Sequence, residues 1–428
     1  MKRPELKNNI GKTVFPIGAW SCIGVDDETD AIDDWHFSLI KDAGINFLVD
    51  GHAYDTDAGK RFAEMCGKYS IGHFIIDEGI SSVTGEEPQE YVDKVVSNAI
   101  KAFSHEKCYL GPFFGDEPNR KGFLRLEKLY SAFLKTGAEG LPYVNLLPAV
   151  KEGPLDTDPG YSYEQYLEEY IAIAKPEFLS FDCYLFGTGL KGQVAINGND
   201  SFESFSRISA ASKKYGIPFW SFVSCGGQWE SPVVEEDIYP DKAQFDLSVH
   251  ISLAFGAKGI EYFTFRQPKI FYDTAKADCV NGMVGYTGRI NKWYYYAKEI
   301  SGYLSKYADI FLNAEHEGVL FIGGSYSYPA FGGAVINGVG YKELDYSESD
   351  HAIIGIFTLG TKRLLYVVNN SFSESAYVGL RFDKNYDHTI LDASGKRKPT
   401  AYETRKDKCL LIENIQKGEA VMIEYELK

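Results

Sequence analysis

The sequence predicts an α/β chain, a (β/α)₈ TIM-type barrel followed by a C-terminal antiparallel β-sandwich. Three observations carry this. Over roughly the first 310 residues, short apolar runs alternate with helical patterns eight times. Each run is bounded by Gly, Pro or charged residues, as strands buried on both faces of a parallel sheet are. From about residue 316 the long helical patterns stop, and short strand-like segments joined by turns take over. The expected division is therefore a barrel over 1–312 and a sandwich over 313–428. A doubly wound sheet is the competitor, but no GxGxxG or GxxxxGK[ST] phosphate loop follows any strand.

Taken in order, the barrel strands read "TVFPIGAW" (13–20), "INFLVDGHAY" (45–54), "GHFIIDEG" (72–79), "CYLGPFFGDE" (108–117), "LPYVNLLPAV" (141–150), "FLSFDCYLFG" (178–187), "IPFWSFVSC" (217–225) and "GIEYFTFRQ" (259–267). Between them, "DAIDDWHFSLIKDAG" ends on Gly44, a helix-terminating residue. "EPQEYVDKVVSNAIKAFSH" spaces its apolar residues by three and four. "SYEQYLEEYIAIAKP" stops at Pro176 and "SFESFSRISAASKKYG" at Gly216. "DKAQFDLSVHISLAFGAKG" leads into the eighth strand, and "NKWYYYAKEISGYLSKYADIF" closes the series. The sandwich strands are "EGVLFIGG", "AIIGIFTLG", "RLLYVVNNS", "AYVGLRF" and "CLLIENIQKGEAVMIEYEL"; the glycine-rich piece 323–340 reads as a loop or linker.

A chain of 428 residues with 44% hydrophobic and 15% aromatic content buries a large core. Its net charge of −16 argues against nucleic acid or an anionic membrane surface as partner. The seven cysteines are odd in number, scattered, and form no CxxC pair, which is the pattern of free thiols in a reducing compartment. No run approaches the ~18 apolar residues of a membrane span. The N-terminus carries no long apolar segment, so a cytoplasmic location is expected, or export from a precursor whose leader is not in this sequence.

Barrels of this kind build their active sites at the C-terminal ends of the strands. That rule turns the strand list into candidates: Asp50 and His52 after strand 2, Asp77 and Glu78 after strand 3, and Asp116 and Glu117 in "GPFFGDEPN" after strand 4. Strand 6 offers Asp182 and Tyr184; Gln228, Trp229 and Glu230 follow strand 7; strand 8 offers Glu261, Tyr262, Thr264 and Arg266. Trp20, Tyr54, Trp220 and Trp229 add flat apolar faces. An acidic, aromatic-lined cup suits a carbohydrate, and glycoside hydrolysis needs one carboxyl to protonate the leaving oxygen and another as nucleophile or base. Asp116 beside Glu117 would raise the proton affinity of the acid, provided the strand ends there and both side chains reach the mouth. No HExxH or HxH occurs, so neither metal nor cofactor is expected; Asp50, Asp77 and Asp182 have the oxygen ligands for a hard cation, but their spacing does not require one.

Three segments resemble the retaining glycoside hydrolases of clan A, which include the family 42 β-galactosidases. "GPFFGDEPN" is similar to the strand-4 acid/base motif, "FLSFDCYLFG" to the strand-6 Asp-x-Tyr motif, and "SLAFGAKGIEYFTFRQ" to the segment entering strand 8. The resemblance implies Glu117 as general acid/base; from their places at the strand ends, Asp50, His52, Asp116, Tyr184, Trp220, Trp229 and Arg266 are expected to contact the sugar. Two departures stand out. Asp116 occupies the place of an Asn, and strand 7 carries no carboxylate before Glu230. The nucleophile is then Glu230, or Asp182 or Asp50 activates water, or the barrel binds sugar without cleaving it. A metal-dependent hydrolase or lyase on the same barrel is a third reading.

Overall fold

In the computed structural model the described residues are 13–23, 31–50, 57–149, 160–188, 194–196, 198–226, 241–275, 282–323, 344–349, 351–383, 386–403 and 407–426. Eight parallel strands close into a barrel: β1 (Ile17–Trp20), β2 (Phe47–Asp50), β3 (Gly72–Ile75), β4 (Tyr109–Asp116), β5 (Tyr143–Leu146), β6 (Leu179–Phe181), β7 (Phe219–Ser224) and β8 (Gly259–Phe263). β8 pairs with β1 to complete the ring, Glu261 lying opposite Gly18 on one side and Phe222 of β7 on the other. The interior is filled by Phe47, Phe74, Phe113, Tyr143, Phe178 and Trp220, so the barrel is a packed core rather than a pore.

Around the barrel run α1 (Asp34–Asp42), α2 (Asp57–Tyr69), α3 (Glu78–Ser82), α4 (Gln89–Phe103), α5 (Gly122–Thr136), α6 (Tyr163–Ala174), α7 (Gly198–Tyr215), α8 (Lys242–Ala254), α9 (Lys269–Ala275), α10 (Lys292–Lys306) and α11 (Ala308–Asn313). Local chemistry fixes their starts. Ser162 and Gln165 form a reciprocal capping box on α6, and Asp241 and Gln244 form one on α8. The sequence pattern over 291–311 reads as one helix; the structure breaks it at Tyr307, which ends α10 and opens α11. Strand 6 is shorter than its apolar run, because after Phe181 the chain leaves the sheet and Phe186–Thr188 pairs in a hairpin with Val194–Ile196. No helix among the described residues is long and apolar enough to cross a membrane. The six described cysteines form no disulfide with one another; Cys279 lies outside the described residues.

From Glu315 onward the chain builds two antiparallel sheets. One has the order β9-β11-β12-β18-β14-β15, the other β10-β13-β17-β16. The strands are β9 (Glu315–Gly323), β10 (Leu344–Ser349), β11 (His351–Leu359), β12 (Lys362–Asn369), β13 (Ala376–Asp383), β14 (Thr389–Asp392), β15 (Gly395–Arg397), β16 (Ala401–Glu403), β17 (Lys408–Ile415) and β18 (Ala420–Glu426). Alternation divides β11 and β12 between two cores. Ile354, Ile356, Leu365 and Val367 face the other sheet. Ile353, Phe357, Leu364, Tyr366 and Val368 join the core that continues into the barrel. These antiparallel strands therefore read as continuous apolar runs because both their faces are covered.

Helix α8 is what they cover. Apart from Lys242 and Ser248 its residues are buried, consistent with a helix that has protein on both sides. Its His250 Nδ1 lies 2.6 Å from the hydroxyl of Tyr366 on β12. Two glycines let the sandwich come this close. A Cβ on Gly355 would sit 2.3 Å from the carbonyl oxygen of Ala254, and one on Gly418 2.1 Å from that of Ala243. Gly355→Val should accordingly cost about 1–3 kcal/mol and lower the melting temperature of barrel and sandwich together. A separate early transition of the sandwich alone, with the barrel's melting unchanged, would show that the joint carries no stability.

Candidate active site

The mouth is organised where β4 ends. Asp116 is its last residue, and Glu117 follows in the left-handed region at φ 43°. That conformation costs a non-glycine residue about 1–2 kcal/mol. It is held in place because the Glu117 N–H donates to the carbonyl of Asn145 on β5 at 2.9 Å. In a continuing strand, neighbouring side chains would point to opposite faces. The break in the strand instead brings Asp116 and Glu117 within mutual electrostatic reach, and brings both within reach of Asp182 just past β6. The Asp182 N–H donates to the Leu146 carbonyl at 3.1 Å. The Asn145 side chain then ties the group together: its Nδ2 donates to Asp116 Oδ1 at 2.9 Å, and it also hydrogen-bonds Asp182.

Three carboxyls in one place cannot all ionise at ordinary cost. Asp116 and Glu117 keep solvent access, but the surrounding wall removes enough water that burial pushes both above the usual carboxylate range. The charge of Asp116 pushes Glu117 further, and a hydrogen bond with Asp182 opposes this. Asp182 is driven well above its ordinary value, first by burial and then by the charges of Asp116 and Glu117. Its Oδ1 is buried without a hydrogen-bond partner. The cluster thus shares protons and titrates as a unit.

A fourth carboxyl lies beneath. Glu261 of β8 points into the barrel interior and is 0% exposed. Tyr143 OH donates to its Oε1 at 2.7 Å, and the Ser180 hydroxyl meets its Oε2 at 2.7 Å. Ser180 Oγ also lies 2.8 Å from Tyr143 OH and 3.2 Å from Asn145 Oδ1. Burial pushes the Glu261 carboxyl up to about 7, against the hydrogen bonds from Ser180 and Tyr143. The sequence reading passes over Tyr143, Asn145 and Ser180. A signal was present: Tyr143 and Asn145 share one face of β5, and Ser180 and Asp182 share one face at β6, so polar atoms recur at period two inside apolar runs.

The remaining candidates divide. Tyr184 stands at the rim, its ring 6.5 Å from that of Phe263; Trp20, the last residue of β1, packs edge-on against Phe113 at 5.4 Å and Phe263 at 6.3 Å. These rings make an aromatic collar beside the carboxyls. Trp220 is placed elsewhere, correcting its reading as a sugar contact. As the second residue of β7 it sits toward the far end of the barrel, 1% exposed and stacked on Phe178 at 4.0 Å. Arg266 is also corrected. It is buried, its guanidinium lies 4.5 Å from the Tyr286 ring centre, and it donates to the Tyr286 carbonyl at 2.9 Å, so it packs a loop. Asp77 caps α3, accepting the Ile80 N–H at 2.9 Å, with Glu78 in the first turn. His250 is a core residue on α8. Asp50 ends β2. His52, Tyr54, Gln228, Trp229 and Glu230 lie outside the described residues. Among the described residues, no three His, Cys, Asp or Glu side chains are arranged to hold a metal ion.

No protein-family model matches the chain, and no curated protein matches it. Solved structures do share the fold. The cold-adapted β-galactosidase of Rahnella sp. R3 is similar over 100% of both chains, with TM-score 0.57 and 11% identity. A glycoside hydrolase family 5 protein of Bacteroides vulgatus ATCC 8482 is similar over 99% of this chain and 92% of its own, with TM-score 0.53 and 12% identity. A further structure described as a glycoside hydrolase covers 98% of this chain and 94% of its own, with TM-score 0.54 and 10% identity. At such identities the likeness establishes the fold: a parallel eight-stranded barrel followed by a β-rich domain.

The raised Glu261 carboxyl has a consequence for stability. A group that holds its proton more tightly when folded stabilises at low pH, and that contribution is lost as pH rises from the unfolded value toward the folded one. For Glu261 the window runs from 4.5 to about 7. Glu261→Gln mimics the neutral acid and should flatten the fall in stability across that window, leaving the variant more stable than wild type at pH 8 by up to roughly 3 kcal/mol. Denaturant midpoints measured at pH 5 and pH 8 test this; a parallel fall in both proteins would contradict it.

Proposed function

We propose that this chain is a glycoside hydrolase of the clan A type, with Glu117 as the general acid. The observation that carries the proposal is the state of Glu117: a solvent-reached carboxyl at the C-terminal end of a barrel strand, held above its ordinary proton affinity by burial and by Asp116. A proton donor to a glycosidic oxygen needs those properties, namely access to the substrate and a proton held more tightly than by an ordinary carboxyl. The collar of Trp20 and Tyr184 offers flat faces for a sugar ring. Support of a coarser kind comes from the neighbouring folds, which belong to glycoside hydrolases, including the β-galactosidase. The substrate is then an oligosaccharide or glycoside.

The second carboxyl of the mechanism is assigned by resemblance to Glu230. Asp182 fits that role poorly: it lies in the same cluster as Glu117, and the two shift each other's proton affinity. Asp182 is better read as the group that tunes and positions the acid. The sequence of β7, which ends at Ser224 without a carboxylate, favours a second reading, a barrel that binds sugar without hydrolysing it.

Glu117→Gln separates the two. If Glu117 is the acid, its loss lowers kcat/KM by about 10²–10⁴-fold on substrates with poor leaving groups and far less on aryl glycosides whose leaving group needs no proton. Saturable sugar binding with no turnover by wild type would support the binding-only reading. Equal activity in both proteins on every substrate would remove Glu117 from the mechanism.

A further inference from the structure

Hydrogen-bond arithmetic beneath the acid cluster points to a role for Glu261. Four close oxygen–oxygen contacts join Glu261, Tyr143, Ser180 and Asn145: Tyr143–Glu261, Ser180–Glu261, Tyr143–Ser180 and Ser180–Asn145. The two hydroxyls supply two protons. With Glu261 ionised, both hydroxyl protons are drawn to its two oxygens, and Asn145 Oδ1 is left facing Ser180 with no proton between them. With Glu261 neutral, its own proton goes to Ser180, Ser180 donates to Asn145 Oδ1, and Tyr143 donates to the free Glu261 oxygen. Only this second arrangement gives Asn145 Oδ1 a donor, reinforcing the orientation in which its Nδ2 faces Asp116. The Asn145 orientation is thereby set from below, through a chain of contacts that never reaches solvent.

We propose that neutral Glu261 is a positioning residue for the acid cluster, holding Asn145 through Ser180 so that Asn145 donates to Asp116 and fixes the proton-sharing cluster that supplies Glu117. This rests on the reading of Glu117 as the acid. The relay is specific to the interior of this barrel. On the strands flanking β8, the residues in register with Glu261 are Gly18 and Phe222, neither titratable. From β5 and β6 it faces Tyr143, Ser180 and the charge of Asp182, with Asp116 and Glu117 coupled beyond. When Glu261 loses its proton, two things happen together: Asn145 loses its donor, and a negative charge appears beneath Asp182.

Two experiments test the proposal. The first is the pH profile of kcat/KM on a glycoside that wild type cleaves. With Glu117 and Glu261 both required in protonated form, the alkaline limb of wild type falls about 100-fold per pH unit, while Glu261→Gln, which cannot ionise, falls about 10-fold. At pH 5.5 Glu261→Leu should lose at least about ten-fold more activity than Glu261→Gln, because glutamine still donates to Ser180. Identical limbs in wild type and Glu261→Gln, or equal losses in Gln and Leu, overturn the proposal. The second needs no turnover, so it remains decisive if the hydrolase reading fails. The side-chain amide resonance of Asn145, in protein labelled at asparagine, should show a step with a midpoint near pH 7 that is missing in Glu261→Gln, where only the response to the neighbouring carboxyl cluster remains. An Asn145 amide insensitive to pH in wild type, or titrating equally in both proteins, overturns it.

Discussion

A carboxyl inside an apolar barrel has to be satisfied by what surrounds it, and that requirement organises the centre of this protein. An ionised, unpaired carboxylate buried among Phe, Tyr and Trp rings would cost several kcal/mol. Glu261 lowers the cost by holding its proton up to about pH 7 and by meeting two hydroxyls, Tyr143 and Ser180, brought to it by β5 and β6. Closure is what makes this possible. β6 and β5 stand two and three strands from β8 around the ring, and both face it across the interior. The same two strands carry Asn145 and lead into Asp182 one step nearer the mouth, so the polar column below and the acid cluster above are parts of one register.

The acid cluster follows the opposite strategy. Among the described residues, the groups that act on Asp116, Glu117 and Asp182 are carboxyls and the Asn145 amide, not cations. Their repulsion is contained by sharing protons and by the amide of Asn145. A site built this way keeps a proton available at a pH where an isolated carboxyl would have lost it. The strained backbone at Glu117 belongs to the same arrangement, since only a break in the strand lets consecutive carboxyls converge.

Much of this was legible in the sequence, and what was not has identifiable causes. Eight barrel strands could be read because strands buried on both faces leave continuous apolar runs, and the strand-end rule led from them to Asp116, Glu117 and Asp182. Trp220 was misplaced because an apolar run shows that a strand exists but not which end of it reaches the mouth; that depends on where the strand begins, at Phe219. Arg266 was misread because its partner, Tyr286, lies 20 residues away in sequence. Asn145 and Ser180 escaped because a single polar residue in a strand gains meaning only from what faces it across the barrel. The left-handed turn at Glu117 has no glycine to announce it.

Helix α8 gives the chain an awkward history as well as a compact end state. Its inner face is needed by the barrel, and its outer face is needed by β11 and β12, about 100 residues further along. During synthesis the whole barrel has therefore left the ribosome while one side of α8 is still bare, and it stays so until Ile353 to Val368 arrive. At translation rates of roughly 5–20 residues per second, that leaves an apolar helix face uncovered for several seconds. In that interval the nascent barrel exposes the kind of surface that aggregates, and its vulnerability is set by the order in which its parts are made.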